Sequence, residues 1–130
     1  MRPSFNVLKE CLGSELKRLK VHKEGKVIYA SYVDGGHFPI EVDGKVTPGG
    51  VWLLSRNARR GWVEVKGEKK AMLFLYGKDL FKGSYEIIRG PCERGFVLVY
   101  WEGVLLGLGK LFKGNIKNVL DFGEYLRRGI

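Results

Sequence analysis

The side chains best suited to catalysis are few: His22 and His37, Cys11 and Cys92. No two of them stand at the close spacing, Cys-x-x-Cys or a His pair on one helical face, that brings two ligands to one metal ion. Two isolated histidines do not support a Ser-His-Asp triad. His37 follows two glycines and reads as a satisfied surface histidine. Cys11 sits beside an apolar stripe and reads as a packed small hydrophobe. Cys92, between Pro91 and Glu93, reads as exposed in a turn. A structural disulfide is not expected of a cytoplasmic protein, hyperthermophiles being the exception. Gly107-x-Gly109 follows a strand but lacks the third glycine and the helix of a dinucleotide fingerprint, and no P-loop sequence is present. No catalytic residue, metal or cofactor is expected, and the chain reads as a non-enzyme.

The cations point to different chemistry. Of 130 residues, 23 are Lys or Arg and 14 are Asp or Glu, a formal charge of +9. Residues 1–61 carry 11 basic and 6 acidic groups and residues 62–130 carry 12 and 8, so the excess belongs to the whole body rather than to a tail. Such a balance favours contact with a polyanion. No run reaches the roughly 18 uninterrupted apolar residues of a membrane span. The charged stretch after Met1-Arg2-Pro3-Ser4 lacks the apolar core of a secretion signal, so a cytoplasmic protein with no membrane contact is expected. Absence of Gln with abundant Lys and Glu leans towards a thermophile.

The elements that must position these groups follow from periodicity. Ser4 caps a helix whose stripe is Phe5, Leu8, Leu12, Leu16 and Leu19, about fifteen residues in all. Strands are expected over 26–33 and 37–42, with turns at Asp34-Gly35-Gly36 and Asp43-Gly44. Thr47-Pro48 opens a short helix ending near Arg60, with Gly61 as its stop; Arg56, Arg59 and Arg60 lie on it, able to face RNA or a protein. From Trp62 on, five short strands are expected (62–66, 71–75, 85–89, 96–101 and 104–112). A single helical turn interrupts them at 76–81, and a final helix covers 121–128. Five strands in about sixty residues suggest a small barrel. The fold class is therefore α+β, an N-terminal α/β region over 1–61 followed by a β-barrel or pseudobarrel over 62–130.

Three segments, in order, resemble the PUA domain, an RNA-binding module: Phe74 to Gly83, Gly103 to Gly109, and Asp121 to Arg128. The set is similar to the small Nip-seven ribosome-biogenesis family and to the PUA-like C-terminal regions of Nop/Sun (Fmu) rRNA methyltransferases. The chain departs from the first family at Val104-Leu105-Leu106, where a proline usually precedes Leu-Gly, and at Lys110-Leu111-Phe112-Lys113, in place of a Lys-Ser-Thr run. The resemblance implies RNA as partner, in the form of rRNA or pre-rRNA, with a ribosome-assembly factor or an RNA methyltransferase as protein partner.

Within that half, Lys110, Lys113 and Lys117 flank the Gly114-Asn115 turn, and Arg127 and Arg128 end the last helix. If closure brings the two segments together, their charges can neutralise neighbouring phosphates. Gly77 can enter a helical turn with free N–H groups that, with Lys78 and Lys82, hold a phosphate. Tyr76 either stacks on a base or fills the core. Of Tyr100 and Trp101, on opposite strand faces, one is expected outward. Gly107 and Gly109 serve a sharp bend, close backbone approach or RNA contact. The expected function is non-catalytic RNA binding in ribosome biogenesis or rRNA processing. The alternatives are an accessory subunit presenting RNA to a methyltransferase and a free-standing RNA-modifying enzyme.

Overall fold

The computed structural model describes residues 2–31 and 36–123. Residues 32–35, the expected Asp34-Gly35 turn, and the expected final helix with Arg127 and Arg128 lie outside the described residues.

Ser4 caps helix α1 (Phe5–Leu12), its hydroxyl accepting from the Val7 N–H at 3.2 Å. The helix is half the expected length. Gly13 adopts φ 67° and ends it, with the N–H groups of Gly13 and Ser14 donating to the carbonyls of Glu10 and Lys9. That left-handed closure is favourable for glycine and costly for other residues. Leu16 and Leu19 still pack on the core, from extended chain rather than helix. The freed segment supplies β1 (Lys20–Glu24), which pairs antiparallel with β2 (Val27–Ser31), followed by β3 (His37–Val42) and β4 (Lys45–Val46). Asp43 and Gly44 form the expected turn, both with positive φ. Thr47 caps α2 (Pro48–Ser55), accepting from the Gly50 N–H at 3.0 Å, with Pro48 in the first turn.

The second sheet has the order β6-β5-β7-β8-β9. Its members are β5 (Trp62–Val65), β6 (Tyr85–Arg89), β7 (Phe96–Trp101), β8 (Val104–Phe112) and β9 (Asn115–Asp121). Two expectations change. Residues 71–75 are not a strand: they belong to helix α3 (Glu68–Leu75), which buries Ala71 and Phe74 at helical spacing and has Glu68 in its first turn, where a carboxylate suits the dipole. The fifth strand is β9, and Asp121 is its last residue rather than the start of a helix. The architecture is thus mixed α/β, with three helices and two sheets among the described residues; their strand pairings leave β6 and β9 as the sheet's two ends.

Strand β7 alternates between two cores. Phe96 and Leu98 pack against α1, α2 and the first sheet, with Leu8, Leu12 and Leu54. Val97 and Val99 pack against α3, with Phe74 and Ile116. Burial on both faces explains its unbroken apolar sequence. Each fully buried Leu or Phe contributes about 1.5–3 kcal/mol, and the first cluster draws on residues from both halves of the chain. Cys11 of α1 and Cys92 of the β6–β7 loop form a disulfide across the same junction, 81 residues apart with Cα atoms 5.3 Å apart. The reading of two separate thiols is therefore corrected: helix and loop are packed close enough for a covalent bond, which sequence spacing does not reveal.

Candidate nucleic-acid interface

The hairpin of β8 and β9 positions the late lysines. Its turn, Lys113-Gly114, has positive φ at both residues, the geometry of a two-residue hairpin connection. That register sets Lys110 directly opposite Lys117, and places Phe96 of β7 on the other side of Lys110. The Lys110 ammonium lies over the Phe96 ring at 5.3 Å. Arg94, from the β6–β7 loop, and Arg2, Pro3 and Val7, from the start of the chain, complete a groove of about 380 Å³. Four cations line it, and no carboxylate is among its lining residues that are described. Like charges directly across a ladder destabilise a sheet, so Lys110 and Lys117 together gain most when an anion lies between them.

The turn end of the same hairpin carries a second set. Asn115 accepts the Lys82 N–H through its side chain at 3.0 Å, and the Lys82 stem lies against Gly114, beside Lys113. The Lys113 ammonium sits over the exposed Phe112 ring at 5.3 Å. Residues 78–80 run along the outer edge of β9. Leu80 and Ile116 exchange backbone hydrogen bonds, and the Asp79 carboxylate accepts from the Asn118 N–H at 2.8 Å. Lys70, Leu73, Lys78, Asp79, Leu80 and Phe81 edge a shallow hollow there. Tyr76, Phe81 and Phe112 are 59%, 67% and 66% exposed, far more than core packing allows. The expected lysines thus fall at two places on the hairpin, Lys110 with Lys117 along the ladder and Lys82 with Lys113 at the turn, and Lys78 lies along the β9 edge.

Residues 62–130, just over half of the chain, match the family model described as the UPF0113 PUA domain. The chain belongs to the UPF0113 PUA-domain family. It is 37% identical over 93 residues to a UPF0113 protein of Archaeoglobus fulgidus, an alignment covering 61% of this chain and 51% of the relative. The chain thus spans about half the length of the curated relative it matches. No solved structure matches it. A PUA domain points in general to RNA binding.

Within the PUA segment, the glycine pair has a structural task. A Cβ on Gly107, at φ 153°, would strike the Leu120 carbonyl and come within 2.8 Å of the Asp121 Cα; one on Gly109 would strike the Ile116 side chain. Both are buried, and they let β9 approach β8 closely. Gly77 does not open a helical turn. It closes α3, with its own N–H donating to the Phe74 carbonyl and that of Lys78 to Leu73. Leu80 and Lys82 also spend their N–H groups within the chain, so the expected cradle of free amides does not form. Tyr76 stands outward rather than in the core. Tyr100 and Trp101 are both half-buried, one on each core, so neither is the outward aromatic expected. Burial pushes the Tyr100 phenol above its usual range, partly offset by a hydrogen bond with Ser55.

The three arginines after α2 are tied to the body. Arg56 covers the Trp52 ring at 5.1 Å, Arg59 pairs with Glu15 at 3.0 Å, and Arg60 donates to the Cys11 carbonyl at 2.8 Å. Arg2 and Arg94 were not foreseen as site residues. They are 108 and 16 positions from Lys110, and only tertiary folding brings them to it. Among the described residues no group of three or more His, Cys, Asp or Glu side chains is placed to hold a metal ion, and no helix is long and apolar enough to cross a membrane.

Proposed function

We propose that this protein binds RNA without transforming it, acting in ribosome biogenesis or in the processing and modification of rRNA in the cytoplasm, with its PUA segment curled as a pseudobarrel. The observation that carries the reading is the groove where Arg2, Arg94, Lys110 and Lys117 meet. Phosphates of an RNA backbone fit that chemistry, since each neutralised phosphate releases bound counterions. The exposed Tyr76, Phe81 and Phe112, interleaved with Lys78, Lys82 and Lys113, add π-faces next to positive charge, the combination that holds unstacked bases.

A binding titration over a range of salt concentrations, using an rRNA fragment, single-stranded RNA and duplex DNA, tests this. Four phosphate contacts give a log–log slope of about −3 on a single strand. Lys110→Glu with Lys117→Glu lowers the slope by more than one unit of phosphate and weakens binding strongly. Flat, weak binding to all three nucleic acids ends the reading.

A second reading, an accessory subunit that presents RNA to a methyltransferase, draws on Trp52. This residue is 41% exposed on α2, flanked by Phe38 and Arg56. Exposed Trp and Arg are the residue types that anchor protein interfaces. Trp52→Ala then abolishes co-purification with the enzyme while leaving RNA affinity intact.

A further inference from the structure

The outward face of the first sheet carries three rings in mutual contact. His22 of β1 stacks on Tyr29 of β2, with centroids 5.2 Å apart and planes 15° apart. His37 of β3 meets Tyr29 at 5.6 Å and His22 at 6.1 Å, both near edge-on. Strand alternation sends Val21, Ala30 and Ile40 to the opposite face, where Ala30 and Ile40 are buried and Val21 edges a groove beside Phe5. The ring cluster therefore contributes nothing to the core. The His22 side chain is 45% exposed and His37 is exposed.

The surrounding charge selects the occupant. From Lys17 to Lys26 the chain carries five cations, Lys17, Arg18, Lys20, Lys23 and Lys26, and one carboxylate, Glu24. By alternation Lys20 and Glu24 share the ring face with His22, and Lys23 falls on the other face. Lys26 lies 3.8 Å from Asp43, and Glu24 lies 3.8 Å from His22. An apolar protein surface laid here would strip water from Lys20 and the imidazole nitrogens without replacing their hydrogen bonds. A duplex hides the faces of its bases. An unpaired strand offers both phosphates for the cations and flat bases for the rings. We infer that the His22–Tyr29–His37 face is a stacking platform for unpaired bases of single-stranded RNA, a second contact surface distinct from the PUA-segment groove.

The test uses a fluorescent oligouridylate and an abasic oligomer with the same number of phosphates, titrated against the full chain. Two double variants are compared, His22→Ala/His37→Ala and Lys110→Glu/Lys117→Glu. The ring variant loses roughly tenfold in affinity for oligouridylate and nothing for the abasic oligomer, whereas the groove variant weakens on both. Equal affinity of ring variant and parent for oligouridylate overturns the platform, as does an equal loss on both oligomers. Weakening confined to the groove variant leaves the proposed RNA function standing and removes the platform alone; a parent that binds neither oligomer removes both. Photo-crosslinking of oligouridylate to the parent protein gives a readout free of mutation. Adducts in the peptide Lys20–Ser31 support the platform, and adducts confined to residues beyond Trp62 refute it.

Discussion

Reducing the Cys11–Cys92 bond is the perturbation with the largest calculable effect. The bond closes a loop of 81 residues between α1 and the β6–β7 loop. In the chain-entropy treatment, opening a loop of that size returns about 15 cal/mol/K to the unfolded ensemble, or about 4.5 kcal/mol at room temperature. A chain of 130 residues unfolds with an entropy of about 0.27 kcal/mol/K near its midpoint, so the loss corresponds to about 16 °C in Tm. Cys11 is buried, and its helix also packs through Leu8 and Leu12, so the reduced protein stays folded at room temperature. The assay is calorimetry with and without a thiol reductant, with thiols counted by alkylation and mass spectrometry. Cys11→Ala/Cys92→Ala provides the reductant-independent control, with a small further loss for the missing sulfur atoms. A fully reduced protein whose Tm moves by less than a quarter of the expected amount refutes the entropic argument. Two alkylatable thiols in unreduced protein refute the bond itself.

Gly107→Ala combines a strained φ with a collision against β9, so a loss of about 3 kcal/mol or more is expected by denaturant titration; a variant of parental stability contradicts the packing described for the hairpin. Phe81→Ala and Phe112→Ala remove exposed rings and leave Tm within a few degrees of the parent, while RNA affinity falls by about 1–3 kcal/mol for each base that loses its stacking partner. Tyr100 gives a pH signature. Burial raises its folded pKa above the ordinary 10.0, so above pH 10 the unfolded chain releases this proton first, and stability present below that pH is lost as pH rises. Tyr100→Phe flattens the alkaline decline in Tm, which a tyrosinate absorbance titration can follow in parallel.

Much of the architecture is legible in the residue pattern, and the exceptions have physical reasons. Strands β2, β3, β5, β6, β7 and β8 fall on runs of Val, Ile, Tyr and Phe, and the Asp43-Gly44 turn lies where the sequence places it. Helix α3 is hidden because Ala71-Met72-Leu73-Phe74-Leu75 is apolar throughout, which reads as a buried strand; Glu68-Lys69-Lys70, three good helix formers, are the signal that separates the two. Strand β9 is masked by Asn115, Lys117 and Asn118, although Lys113-Gly114 marks its hairpin. Strand β1 is exposed along its whole length, so hydrophobic patterning has nothing to detect. In the candidate interface, Lys110 and Lys117 follow from hairpin pairing and could be anticipated. Their arginine neighbours could not, because local periodicity contains no information about contacts between the chain's first residues and a loop more than ninety positions later.

The first core cluster runs across the boundary at which the family match begins, with Phe96, Leu98, Leu108 and Leu120 pressed against helices encoded upstream of Trp62. A gene fragment starting at that boundary would produce a sheet with one greasy side facing water. Such a fragment would call for a substitute cover, by self-association or by a fused neighbour, before it behaved as a monomer. In this molecule the segment that the family match covers shares its core with residues that precede it.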